Sequence, residues 1–454
     1  MSSEEILRRA SYGPSSPVVG ERGARTRQRI VDVTLDLFAA SSFHETSVDD
    51  IAKAAGISRA TLYQYFGSKD EIFIELMEEC GSALMRVVRR LGPLGADPQG
   101  FDNLHWWLGE WAWVYDKYAT MFVQWARVDS SETSLKPMIS KFVDAYVVRV
   151  AKRLESSGVE GLELRHAAAA LEALVNRFNY LRHSPVTAGL DRDALLDGLA
   201  VAVQLALFPE TSAKTLASLE LESGDPAQHV LRERVPRVRA DRLDGLSPRA
   251  RRTVEELIDA ACRIFAARGY HAANIDAVVA EAGFARGTFY KYFRDKLDLL
   301  TAVAEKACED LVEVLARFAD IRPGPDAHDA LRAWLRGYLP VHSRYLGVIR
   351  VWAERQPEDP TLTSLSFQVA HELEAALATV LGRLKSPYPL DTKSAVLVLL
   401  VMLEQVPVAV PEGVSGASED EVIEIVALFI ERGLLNGKPV SRRRAGASTA
   451  KKSA

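Results

Sequence analysis

The sequence predicts an all-α protein made of two tandem copies of one helical unit. Two observations carry that prediction. The 454-residue chain matches itself at an offset of 227, half its length, and domain-sized repetition takes precedence over any local pattern. Apolar residues recur at helical spacing along the long segments, and alternating strand patterns of any length are missing.

Residues 25 to 72 align with 252 to 299 without a gap, with identity at 16 of 48 positions. The identities include Phe38, Ala55, Gly56, Arg59, Thr61, Tyr63, Tyr65, Phe66 and Lys69. At the same offset Trp107 pairs with Trp334, Tyr118 with Tyr345 and Trp125 with Trp352. Beyond these the register is expected to slip by a few residues. A unit of about 190 residues is too long for a solenoid repeat, so two domain-sized copies are expected.

Taken in order, residues 1–20 hold Glu4 and Glu5 and no apolar core, so they read as a disordered N-terminus and not as a signal peptide. Residues 21–70 form a first head. Its opening helix carries Ile30, Thr34 and Phe38 on one face. Residues 71–208 form a first helical body, with helical spacing over Glu71 to Leu91, Trp106 to Arg127 and Ile139 to Leu154. Breaks are expected at Gly92 with Pro93 and at Ser184 with Pro185. Residues 209–245, with prolines at 209, 226 and 236, form a linker. The second head spans 246–297, the second body 298–436, with a break at Pro323 to Pro325, and a basic tail 437–454. The last helix of each copy, Asp191 to Leu207 and Glu419 to Leu434, is amphipathic.

Composition sets limits. Hydrophobic residues make up 48% and charged residues 26%, which excludes a mostly disordered chain. The net charge of −5 excludes a uniformly basic coat and leaves room for a local patch. Cys80, Cys262 and Cys308 lie far apart, so neither a disulfide scaffold nor a zinc site is expected, and a reducing cytoplasmic setting fits. The most apolar run, Ala395 to Leu403, is followed by Glu404 and is too short to span a bilayer, so no membrane partner is expected.

The segment Thr46 to Phe66 holds two short helices. Ser47 caps the first, with Asp50 three residues on completing a capping box. Gly56 suits the turn, and Ser58 caps a second helix bearing Arg59, Ala60, Thr61, Tyr63, Gln64 and Tyr65. Two short helices joined by a glycine-containing turn make a helix-turn-helix. Asn274 to Phe293 repeats it.

With Phe38, Thr46, Ile51, Ala52, Ala55, Gly56, Ser58, Thr61, Tyr63, Tyr65, Phe66 and Lys69 in place, each copy resembles the tetracycline-repressor (TetR) family of bacterial transcription regulators. Copy two carries the resemblance on Phe265, Ala282, Gly283, Thr288, Tyr290, Tyr292, Phe293 and Lys296. The resemblance implies a three-helix DNA-binding head on a helical ligand-binding and dimerising body. The second helix of such a motif enters the major groove, which points to Arg59, Ala60 and Thr61, and to Arg286, Gly287 and Thr288. Arg59 and Arg286 either bridge guanine O6 and N7 or rest on phosphates. By resemblance Ser47, Tyr63, Tyr65 and Lys69, with Asn274, Tyr290, Tyr292 and Lys296, contact the DNA backbone. Gln64 and Lys291 are the main change between the two reading faces. Arg25 and Arg252 belong to basic clusters that precede each head and suit phosphate anchoring.

The heads are not equal. Copy two has Ala277 at the box position and Ala285 where Ser58 stands, and a lost cap costs roughly 0.5–2 kcal/mol. Head two is therefore expected to bind more weakly or with relaxed specificity. In the bodies, Trp107, Trp111, Tyr118 and Trp125, with Trp334, Tyr338, Tyr345 and Trp352, line either an effector pocket or simply the helical core. Asn176 and Arg177 supply polar groups in body one, near the positions of Glu404 and Gln405 in body two.

The expected function is a ligand-responsive DNA-binding regulator, a repressor, with double-stranded operator DNA and a small hydrophobic effector as partners. The chain acts as a pseudodimer or as a homodimer, without a cofactor, in the cytoplasm at the nucleoid. The alternative is an adaptor whose second head has lost specific binding. No nucleophile motif, P-loop or metal cluster points to an enzyme.

Overall fold

The computed structural model describes residues 21–128, 136–183, 187, 190–219, 245–354, 357, 359–384, 390 and 392–435; the side chains of 42, 44, 123–128, 136–139 and 354 also lie outside the description. The N-terminus, most of the linker and the basic tail lie outside the described residues. Among the described residues every regular element is helical.

Unit one opens with α1 (Glu21–Glu45), α2 (Val48–Ala54) and α3 (Arg59–Tyr65). Its body is α4 (Lys69–Arg90), α5 (Pro98–Val128), α6 (Lys136–Ser156), α7 (Leu164–Arg182) and α8 (Arg192–Leu207), followed by the short α9 (Ala213–Leu216). Unit two repeats the plan with α10 (Pro248–Ala272), α11 (Ile275–Glu281), α12 (Arg286–Phe289) and α13 (Lys296–Ala316). After a 3-10 turn at Arg317–Asp320 come α14 (Ala327–Arg344), α15 (Leu346–Glu354), α16 (Pro360–Leu381), α17 (Thr392–Gly413) and α18 (Glu419–Leu434).

Local chemistry sets the helix starts. Ser247 caps α10 with Pro248 at the first turn, where a missing N–H costs nothing. Ser418 and Glu421 form a full capping box on α18, and the hydrogen bonds from Ser418 hold the Glu421 carboxyl below its ordinary range. Tyr118 breaks helical geometry inside α5 at φ −112° and ψ 21°. Its counterpart Tyr345 ends α14 at φ −102° and ψ 15°, so the same bend becomes a full break in unit two.

Two expectations change here. The register does not stay lost: α8 and α18 start and end at positions 227 apart, as do the caps Asp191 and Ser418. The sequence match fades because buried aliphatic residues interchange freely while helix geometry persists. The linker also begins as part of unit one: Ser212 caps α9, Thr211, Thr215 and Leu216 are buried, and α9 packs on α5.

The deepest packing joins the two units. α7 lies along α17 and α8 against α18, with α8 also touching α17 and α18 touching α7. Leu199 to Val203 are fully buried in succession, so α8 is enclosed on every side. α17 is longer than the apolar run Ala395 to Leu403 suggested, and by length and composition alone it meets the measure of a membrane span. It carries Glu404, Pro407 and Pro411 and packs as the core helix of this seam.

Candidate nucleic-acid interface

Each head is built to present one short helix. In head one Ile51, Ala52, Ala55, Leu62 and Phe66 are buried, which turns the other face of α3 outward. The turn needs a left-handed residue, supplied by Gly56 at φ 65° and by Gly283 at φ 73° in head two. Ser47 and Asp50 close the capping box on α2, and the Ser47 hydroxyl and amide hold the Asp50 carboxyl below its ordinary range. The Ser58 hydroxyl accepts the Thr61 amide at 3.0 Å and pairs with the Thr61 hydroxyl at 2.8 Å, which sets the first turn of α3.

The same three side chains meet on the outer face of both heads. An Arg59 N–H donates to Asp49 at 2.9 Å and another to the Tyr63 hydroxyl oxygen at 3.3 Å, with the guanidinium 5.6 Å from the Tyr63 ring. Arg286 donates to both oxygens of Asp276 at 3.0 and 3.1 Å and to the Tyr290 hydroxyl at 3.4 Å. Tyr63 first and the aspartate next raise the Arg59 guanidinium above its ordinary range, and Arg286 follows suit beside Tyr290 and Asp276. Tyr63 is 40% and Tyr290 50% exposed, unusual for rings and suited to a contact surface. The sequence reading missed Asp49 and Asp276; the only signal for them was an identity at the common offset.

Other expected contacts separate into outward and inward groups. Ser47, Ser58, Ala60 and Gln64 are exposed, as are Asn274, Gly287 and Lys291, while Thr61, Tyr65, Thr288 and Tyr292 are half-buried. Arg25 and Arg252 are exposed and pair within their own helix, with Glu21 and Glu256 at 2.9 Å each. Lys69 turns back on the head, donating to the carbonyls of Phe43 and Thr46, the latter at 2.9 Å. Lys296 donates to the carbonyls of Tyr270, His271 and Ala273 at 2.9, 3.3 and 2.9 Å, which occupies all three of its N–H groups. Partial burial lowers both ammonium groups from their ordinary range. Arg27, from the basic run before head one, pairs with Glu75 and donates to the Tyr65 carbonyl at 2.8 Å, with its guanidinium 4.0 Å from the Phe66 ring centroid. Its counterpart in head two is the buried Val254.

The heads differ in their reading helices. α3 runs for 7 residues, but α12 runs for only 4, starts on Ala285 without a side-chain cap and holds Gly287. A Cβ at Gly287 meets nothing within 4 Å. Ala285→Ser with Gly287→Ala is therefore expected to lengthen α12 and stabilise head two by about 1–2 kcal/mol, read as a higher melting midpoint. An unchanged midpoint would show that tertiary contacts, not caps, limit this helix.

In the bodies, six of the eight aromatic residues named above are buried. Trp107, Trp111 and Tyr118 are buried, and the Trp111 indole donates to the Tyr146 hydroxyl at 2.9 Å. Trp334 donates to the Val314 carbonyl at 2.9 Å and Tyr338 to that of Leu403 at 3.1 Å, while the Tyr345 hydroxyl meets Asp310 at 2.6 Å. Asn176 is half-buried, and the Trp125 side chain lies outside the described residues. Arg177 and Trp352 of that set border a cleft, about 430 Å³ with open solvent included, which also takes in Tyr180 and Leu362 and lies between α7 of unit one and α15 and α16 of unit two. Among the described residues no three His, Cys, Asp or Glu side chains gather as a metal site.

Comparison with known proteins agrees with this geometry. The model of the family described as bacterial regulatory proteins, tetR family, matches residues 30–76 and 257–303, one match per head. The putative mycofactocin biosynthesis transcriptional regulator MftR of Mycobacterium tuberculosis is 51% identical over 59 residues, 13% of this chain and 30% of that protein. The chain thus spans less than a third of MftR's length in that match. The biofilm operon icaADBC HTH-type negative transcriptional regulator IcaR of Staphylococcus aureus is 25% identical over 139 residues, 28% of this chain and 74% of IcaR. Two matches to the tetR-family model at one fixed offset, each followed by its own helical body, support an arrangement of two TetR-like units in tandem.

Proposed function

We propose that the chain is a ligand-responsive repressor that works as a single-chain pseudodimer, reading one operator with two unlike heads. The seam of α7 and α8 against α17 and α18 carries this reading, since it joins the two bodies within one chain. Arg59, Ala60, Thr61, Tyr63 and Gln64 read one half-site, and Arg286, Gly287, Thr288, Tyr290 and Lys291 the other. Gln64 opposite Lys291 makes the half-sites differ. The name of IcaR as a negative regulator supports repression. An effector works here only if it prefers one of two head spacings, and the cleft bordered by Arg177 and Trp352 is the candidate place for it. Such a role belongs in the cytoplasm, at the nucleoid.

A second reading has one observation in its favour. The short, uncapped α12 fits a head that has lost specific binding and leaves the chain an adaptor with one working reader.

Footprinting on the DNA upstream of its own gene, over a salt series and with light scattering, tests both. The pseudodimer gives a species of one chain mass on one operator with two protected half-sites, and binding falls steeply with salt. A stable species of twice the chain mass with four occupied half-sites rejects it, and protection of one half-site favours the adaptor.

A further inference from the structure

A two-fold axis makes the residues on it meet their own copies. In a homodimer of either unit such a position holds like against like. In this chain those positions hold unlike residues that fit each other.

Position 177 corresponds to 404 under the offset that relates α8 to α18. Arg177 lies with Nη2 2.9 Å from Glu404 Oε1 and donates from Nε to Oε2 at 3.3 Å. Their side chains are 12% and 10% exposed. Unit one against itself would bury two guanidinium groups at this place, and unit two against itself two carboxylates. Neither arrangement offers the compensation that a buried charge requires.

A second self-facing position is set by size. Ala206 corresponds to Gly433, and a Cβ at Gly433 would stand 3.4 Å from the Ala206 Cβ and 2.7 Å from the Ala202 carbonyl oxygen. The crossing has room for a side chain on one helix only. A unit-one homodimer would place alanine on both. A third tie runs in one direction. The buried Arg432 of α18 donates to the carbonyls of Glu160 and Gly161 in unit one at 3.1 and 3.3 Å, and its counterpart in α8 is Leu205.

We propose that the seam is a pairing code, in which Arg177 with Glu404, and Ala206 with Gly433, match unit one to unit two and reject either unit against itself. The partner this surface accepts is the other half of the same chain. It excludes a second copy docked like to like, and a regulator built from one such unit. The inference rests on the single-chain reading above and adds the chemical reason for it. Duplication freed each self-facing position to diverge, and opposite charge and unequal size followed.

Charge reversal in the full-length chain tests the code. Glu404→Arg puts two arginines together only if 177 faces 404. In a like-to-like dimer it exchanges one clash of like charges for another and changes little. Glu404→Arg and Arg177→Glu are each expected to lower the melting midpoint by about 5 °C or more. The double reversal should recover at least half of that loss and return the species to one chain mass in light scattering. Should the reversals prevent folding, Arg177→Gln, Glu404→Gln and their combination form the same cycle in milder form, with the combination losing less than the sum of the two. Single variants that melt with the wild type, or a double variant with strictly additive loss, overturn the code. If the wild-type chain still has one chain mass and protects one operator, the single-chain reading survives that failure. A wild-type species of two chains on four half-sites removes both.

Discussion

Alanine at Arg59 together with Tyr63 should weaken operator binding roughly 10- to 100-fold, with the melting midpoint unchanged. Both side chains stand on the exposed face of α3, and neither holds core together. In the free protein Arg59 rests on Asp49 and the Tyr63 hydroxyl. Its guanidinium is therefore already held over the surface proposed to meet DNA, and little side-chain entropy remains to be lost on binding. The same pair of substitutions at Arg286 and Tyr290 should cost clearly less, because α12 is a single uncapped turn whose position on DNA is less well fixed. Titration of each variant against one operator at one salt concentration measures both losses. Equal losses would overturn the ranking of the heads and would show that DNA itself orders α12.

Gly433→Leu should lower stability strongly. At this crossing even a methyl group would press on the Ala202 backbone carbonyl at 2.7 Å, and backbone does not yield as a flexible side chain does. Gly433→Ala should destabilise by about 1–3 kcal/mol, and leucine by more, despite the better helix propensity of both. Operator binding should fall with it, because separation of α8 from α18 releases the bodies that carry the heads. Gly287→Ala is the control: the same change of residue with open space around the new methyl should stabilise. Calorimetry on the two variants checks the contrast in sign, and a Gly433→Ala protein as stable as wild type would show that the seam adjusts.

Much of the candidate interface was legible in the sequence because its determinants are local. Caps act within three residues, a left-handed turn needs glycine at one position, and Tyr63 and Tyr65, two residues apart, fall on different faces of their helix. Lys69 was not legible in that way. A lysine at the start of α4 reads as a phosphate contact until the fold brings the carbonyls of Phe43 and Thr46 within its reach. Arg27 likewise belongs to a basic run on paper but is held by Glu75 and the Phe66 ring. The aromatic row from Trp107 to Tyr118 fits a pocket wall and a core equally well by spacing; Trp107, Trp111 and Tyr118 are buried in this structure, and Trp113 is exposed.

By itself the sequence determined that two helical units follow one another and that each opens with a helix-turn-helix, because periodicity, caps and turns are properties of neighbouring residues. The tertiary structure decided which surfaces of those units meet. α7, α8, α17 and α18 are filled with interchangeable aliphatic side chains, and such residues state that a face is buried without stating against what. Only the packed seam shows Arg177 opposite Glu404 and Ala206 opposite Gly433, since complementarity of charge and size exists between surfaces and not along a chain.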